Sequence, residues 1–154
     1  MEIIRATEEH ISLLTQFRIS YLEEANPNTS SCKEQLLNSL PNYFKWHLNS
    51  DIFAYFAKDE DGYAACAFLL VIEKPASPNF ITGKTGLVLN VYTKPEHRRK
   101  GCGKQLIEQL LVDASNLHLS YVELHATKDG FPLYKQIGFQ TEDYPQPHMF
   151  YNIY

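Results

Sequence analysis

The stretch from Leu87 to Lys104 constrains the chain most. Leu87-Val88-Leu89-Asn90-Val91-Tyr92-Thr93 reads as a strand and Lys94-Pro95-Glu96-His97 as a turn. Arg98-Arg99-Lys100-Gly101-Cys102-Gly103-Lys104 then reads as a glycine-rich basic loop that opens an amphipathic helix. Such a loop gathers unpaired backbone N–H groups and the positive end of the helix dipole at one point, which makes an anion site. The two glycines let the backbone approach a ligand with no Cβ in between. Lys94, Arg98, Arg99, Lys100 and Lys104 against Glu96 give residues 94–104 a charge of +4, while the whole chain carries −4, so the remainder carries −8. A basic island on an acidic chain suits a small polyanion, whereas nucleic acid asks for a broad basic face.

Spacing narrows the ligand. A Walker loop needs Gly-x-x-x-x-Gly-Lys-Ser/Thr, and a dinucleotide fold needs Gly-x-Gly-x-x-Gly after its first strand. Here Gln105 follows Gly101-x-Gly103-Lys104, and Leu106 stands where a third glycine would be, so both nucleotide readings fail. Arg98-x-x-Gly101-x-Gly103 does fit one pattern, and on it the chain resembles the GNAT acetyltransferase superfamily. In that family the motif lies between a central strand and a helix, and its amides hold the pyrophosphate of acetyl-coenzyme A. Pro132-Leu133-Tyr134-Lys135-Gln136-Ile137-Gly138-Phe139 resembles the second GNAT signature, a short helix with a tyrosine followed by Gly-Phe. The order matches as well, with a strand at Ser120–His125 between the two. The resemblance runs from Ile3 to the C-terminus and is specific within residues 87–140.

Periodicity supplies the remaining elements. Residues 2–6 read as a strand, and Thr7 as the cap of a helix at 8–22 in which Ile11, Leu14, Phe17, Arg18, Tyr21 and Leu22 recur at helical spacing. Asn26-Pro27-Asn28 breaks it. Ser31-Cys32-Lys33-Glu34 reads as a capping box opening a helix to Leu48, disturbed near Pro41. Strands are expected at 51–58, 63–73 and 85–93, with a helix at 102–117, a strand at 120–125, a short helix at 131–137, and strands near 138–142 and 147–153. The expectation is one α/β domain over residues 1–154, with a mixed central sheet of about six to seven strands flanked by about four helices. No apolar run reaches the ~20 residues of a membrane helix. Met1-Glu2-Ile3-Ile4-Arg5 has no signal-peptide anatomy. Cys32, Cys66 and Cys102, an odd number without metal-ligand spacing, read as reduced thiols of a cytoplasmic protein, with no metal site.

The resemblance implies a reaction and assigns roles. It implies an N-acyltransferase that moves the acetyl group of acetyl-CoA, a co-substrate, directly to an amine in a ternary complex. Cofactor binding falls to Arg98, Arg99, Lys100, Gly101, Cys102, Gly103 and Lys104, and to Val91, Tyr92 and Thr93, whose strand would splay from its neighbour and pair with the pantetheine arm. Cys102, between the glycines, suits packing. Tyr134 would give its proton to the leaving thiolate. Many relatives carry a glutamate base on the central strand, but Leu87 stands at that position. Asn90, Glu73, His125, a water relay or an amine that arrives neutral remain as alternatives. Thr127 or Lys128 occupies the turn where many relatives place a cofactor-contacting asparagine. Acceptor choice in this fold comes from the first two helices and the loop before the central strand. Tyr21, Glu23, Glu24, Asn26, Asn28, Glu73 and Phe80 are the candidates there, and their acidity suits a cationic amine. The acceptor would be a small-molecule amine or a protein or peptide amine, with neither nucleic acid nor membrane as partner. The aromatic tail Met149–Tyr154 could pair with a second copy or fill the core. The rival reading is a non-catalytic acyl-CoA-binding sensor or interaction domain.

Overall fold

Ile52-Phe53-Ala54-Tyr55-Phe56-Ala57 is buried at every position, a pattern that a strand sustains only when both faces of its sheet are covered. A computed structural model, which describes residues 1–142 and 146–153, shows how. Its strands are β1 (Glu2–Arg5), β2 (Ile52–Asp59), β3 (Gly62–Glu73), β4 (Lys84–Thr93) and β5 (Val122–Glu123); its helices are α1 (Ile11–Ala25), α2 (Thr29–His47), α3 (Cys102–Asn116) and α4 (Phe131–Ile137). The sheet order is β1-β2-β3-β4-β5, antiparallel except for the parallel β4–β5 pair. Alternation divides the strands between two cores. Phe53, Tyr55, Ala57, Ala65, Ala67 and Leu69 pack with Leu106, Ile107 and Leu110 of α3 and Tyr134 of α4. Ile52, Ala54, Phe56, Cys66 and Phe68 pack with Leu14 and Phe17 of α1 and Phe44 of α2. The mixed α/β fold, with four α-helices among the described residues, is as expected. Among the described residues, no helix is long and apolar enough to cross a membrane.

Three expectations need correction. First, five strands form among the described residues, against the six to seven expected; residues 139–142 and 146–153 form none. Gly138 ends α4 in a left-handed conformation at φ 116°. Pro147 cannot donate to a ladder, and Met149, Phe150, Tyr151 and Ile153 are exposed, so this part of the tail does not fill the core, while Tyr154 lies outside the described residues. The strand expected at 120–125 shrinks to Val122–Glu123 for a reason that matters below. Second, α2 starts at Thr29, ahead of the expected capping box, so the Ser31 hydroxyl lies in its first turn and donates to the Asn28 carbonyl (2.8 Å). The helix also runs through Pro41 unbroken. Third, Thr7 precedes a 3-10 turn (Glu8–His10) before α1 begins, its N–H donating to His10 Nδ1 (3.1 Å).

Gly86 shows how closely β4 and β5 approach. A Cβ there would lie 2.7 Å from Leu69 Cδ1, 3.0 Å from Leu119 Cδ1 and 3.2 Å from Val122 Cγ2. Gly86→Ala should therefore cost about 1–3 kcal/mol by overpacking, measured as a lower urea midpoint with an unchanged slope.

Candidate active site

β4 pairs with β3 from Lys84 to Thr93, but with β5 only at Gly86↔Val122 and Leu87↔Glu123. Among the described residues, the outer edge of Val88–Thr93 therefore has no strand beside it. An unpaired row of N–H and C=O groups is a template for another extended chain, and Val91, Tyr92 and Thr93 lie on it. The same strand carries a bulge. Cys66 stands opposite Tyr92 and Phe68 opposite Leu89, so Asn90 and Val91 share Ala67. Asn90 absorbs the extra residue at φ 55°, a left-handed conformation that asparagine tolerates better than most side chains. The insertion re-aims the strand: Leu89 and Tyr92, three apart, both pack toward α1 and α2, while Val88 and Val91 both pack toward α3.

The strand then enters the basic loop, which is held from two sides. His97, only 6% exposed, has Nδ1 2.7 Å from the Asp59 carboxylate at the β2–β3 turn. Burial alone would raise the Asp59 carboxyl, but the Asp61 amide, the His97 ring and the Lys100 charge draw it below the ordinary carboxylate range. On the other side Arg98 Nε donates to the Thr93 carbonyl (3.0 Å), and its guanidinium reaches Glu24 at the end of α1 (2.6 Å). The Arg98 side chain is thus a staple between α1 and β4. Arg99 (φ 64°) and Gly101 (φ 83°) are both left-handed, and Gly101 caps α3 with no side-chain bond to its first amides. A Cβ on Gly101 would meet nothing within 4 Å, so the space over the loop is open; one on Gly103 would touch Leu133 Cδ2 at 3.4 Å. Arg99 and Lys100 are exposed and have no ion pair among the described residues, while Lys104 lies 3.8 Å from Glu108. Cys102 is buried, with Sγ 3.6 Å from the His97 carbonyl, and burial pushes its thiol up, which is packing and not nucleophile chemistry. Open space, unpaired amides and two free cations fit a polyphosphate group.

Tyr134 is 8% exposed, with its ring edge-on to Phe139 at 5.8 Å. Gly130 makes room for that ring, since a Cβ there would lie 3.0 Å from Tyr134 Cε2. The hydroxyl makes no hydrogen bond among the described residues. Burial raises its pKa, and Tyr21 raises it further. Tyr21 in turn lies under Arg18, whose guanidinium carbon is 5.7 Å from the ring centroid. Arg18 Nη1 donates to Asn90 Oδ1 (3.4 Å), which fixes the amide orientation and leaves Nδ2 buried without a partner. An unmade bond of this kind costs about 1–3 kcal/mol. Tyr134, Tyr21, Arg18 and Asn90 thus form one neighbourhood at the bulge.

Other candidates lie elsewhere. Glu73 pairs with Lys84 at the far end of β4 (3.8 Å), six residues before Asn90 and so about 20 Å from it. That distance removes it as a base. His125 lies beyond β5, exposed, with no hydrogen bond or ion pair among the described residues. Glu24 is bound to Arg98 and Glu23 to Lys33 (2.6 Å each), so the acids expected to attract a cationic amine already have cations. Asp59 and His97, which anchor the loop, carry no sequence signal, because they lie 38 residues apart. Arg18 had one: a guanidinium inside the apolar stripe of α1.

The acetyltransferase (GNAT) domain family matches residues 50–141, more than half of the chain. No curated protein matches. Among solved structures, the chain is similar to a predicted acetyltransferase with acetyl-CoA from Clostridium acetobutylicum, at 26% identity and a TM-score of 0.81, covering 96% of this chain and 94% of that one. It also shares its fold with a GCN5-related N-acetyltransferase from Ralstonia eutropha (24% identity, TM-score 0.77, 96% and 97% covered). A third likeness is a ribosomal-protein-alanine N-acetyltransferase from Brucella melitensis (20%, TM-score 0.71, 97% and 100% covered). With the family matched across the strand edge, the basic loop and the tyrosine helix, the chain belongs to the GNAT acetyltransferases.

Proposed function

We propose that this acetyltransferase moves the acetyl group of acetyl-CoA to a primary amine by direct transfer in a ternary complex. One observation carries the reading: the unpaired edge of β4 leads into the open N-terminus of α3, with Tyr134 in the core cluster that Val88 and Val91 join. Acetyl-CoA supplies an activated carbonyl and a thiolate leaving group. The amides of Gly101–Lys104 would hold its pyrophosphate, helped by Arg99 and Lys100. The edge of Val91–Thr93 would align the pantetheine arm, and a backbone N–H at the bulge would stabilise the carbonyl oxygen as it gains charge. The amine lone pair would form the new C–N bond as the C–S bond breaks, Tyr134 would give the departing sulfur its proton, and solvent would return a proton to the phenolate. The amine proton leaves to solvent, since Leu87 occupies the usual base position and Glu73 is remote.

The three free thiols suit a cytoplasmic setting. The reading is tested by calorimetry of acetyl-CoA binding and by coenzyme A release across an amine panel. Saturable binding with amine-dependent thiol release is expected. Binding with no release from any amine would overturn catalysis in favour of a sensor or interaction domain, and no binding would overturn both.

A further inference from the structure

We propose that Arg18 receives an anionic group of the acceptor, so that the substrate is an amine bearing a carboxylate or phosphate and not a polyamine. The inference rests on the acetyl-transfer reading above and adds the acceptor's chemical class. Arg18 is half-buried on α1 and is held by Asn90 Oδ1 against the bulge of β4, beside Tyr21 and near Tyr134. Its placement is therefore at the reacting end of the site and not on an outer surface.

The acids at the end of α1 and after α2 already have partners. Glu24 binds Arg98 (2.6 Å), Glu23 binds Lys33 (2.6 Å), and Asp51 faces His47 (2.9 Å). Arg18 alone in this group has no carboxylate within 4.0 Å among the described residues. Its electrostatic neighbours are the phenols of Tyr21 and Tyr43 and not carboxylates. Burial pulls the guanidinium pKa down, yet an arginine remains charged. An unpaired, partly desolvated guanidinium is unfavourable unless an anion completes it, and its planar fork matches carboxylate or phosphate oxygens. A second observation points the same way. Asn90, 2% exposed and left-handed, spends its carbonyl on orienting Arg18 while its own Nδ2 stays unbonded. Strain and an unmade hydrogen bond persist where function needs the arrangement. The same positive charge disfavours an ammonium nearby, so it also helps a bound acceptor amine to be neutral.

The experiment uses matched pairs: an amino acid against its amide, and phosphoethanolamine against ethanolamine. Each is titrated calorimetrically into the coenzyme A-loaded protein, and kcat/KM is measured with acetyl-CoA. The anionic member of at least one pair should bind about 10-fold or more tightly, and which pair responds separates carboxylate from phosphate. Arg18→Gln should collapse the anionic-to-neutral ratio by about 10-fold, and Arg18→Lys should recover part of it. Circular dichroism and the melting temperature report whether each variant is folded. A wild-type preference for neutral or cationic members, a ratio unchanged in Arg18→Gln, or no binding by any anionic member would overturn the assignment while leaving acetyl transfer intact. Failure of the protein to take up coenzyme A at all would remove the acetyl-transfer reading and this inference with it.

Discussion

Tyr134→Phe is expected to lower kcat by about 10-fold or more while changing acetyl-CoA affinity less than about 2-fold. The ring is the part of Tyr134 that the fold uses: it sits 8% exposed in the α3-side core, edge-on to Phe139, in space that Gly130 leaves for it. Phenylalanine keeps that packing. The hydroxyl, in contrast, has no hydrogen-bond partner among the described residues, so its removal orphans none of them. What is lost is a proton donor beside the open edge of β4. The pH dependence gives a second readout. Burial first, and Tyr21 second, raise the Tyr134 pKa, so the phenol stays protonated to higher pH than a free tyrosine. The alkaline limb that Tyr134 imposes on kcat should therefore lie at higher pH than that of a free tyrosine, and it should vanish in the variant. An unchanged kcat in Tyr134→Phe would remove Tyr134 from the chemistry and leave it as core.

The parts of this site that were legible in the sequence are those whose signal is local. The glycine loop and its charge lie within eleven residues, and the tyrosine helix announces itself by Pro132 near its start and Gly138 at its end. The three long helices were recoverable for the same reason, from apolar spacing and end signals, with ends shifted by a few residues. What failed depends on contacts between distant segments. Nothing in Ser120–His125 says that β5 pairs for two residues and then stops, although that early end leaves the β4 edge open. The bulge at Asn90 is visible only through the register with β3.

Charge obeys the same rule. Glu23 and Glu24 form an acidic pair in the sequence, but their partners are Lys33, ten residues on, and Arg98, 74 residues on. Pairing offsets the negative field that a count of acids implies, and it leaves Arg18 beside the bulge without a carboxylate partner among the described residues. Composition reports how many charges there are. Which of them remain to meet a ligand is decided by the fold.

Gly101→Val is expected to weaken acetyl-CoA binding by about 10-fold or more, and the geometry says why Gly101 matters more than Gly103. At φ 83° Gly101 sits where a β-branched residue is strained by about 1–3 kcal/mol, which is about 5- to 150-fold if binding must restore that conformation. A Cβ at Gly101 meets no protein atom within 4 Å. The protein therefore does not resist valine by collision, and the loss comes from moving the first amides of α3 or from filling the space that the phosphates need. Gly101→Asn separates these causes, because asparagine accepts a left-handed backbone. If conformation alone matters, Gly101→Asn binds nearly as well as wild type; if the space matters, both variants lose affinity. Gly103→Ala, whose Cβ would make an ordinary 3.4 Å contact with Leu133 Cδ2, should have a smaller effect than Gly101→Val. Calorimetry with acetyl-CoA decides. Affinity within about 2-fold of wild type in Gly101→Val would mean that the phosphates are held elsewhere, and the exposed cations Arg99 and Lys100 would then have to carry the anion without the helix amides.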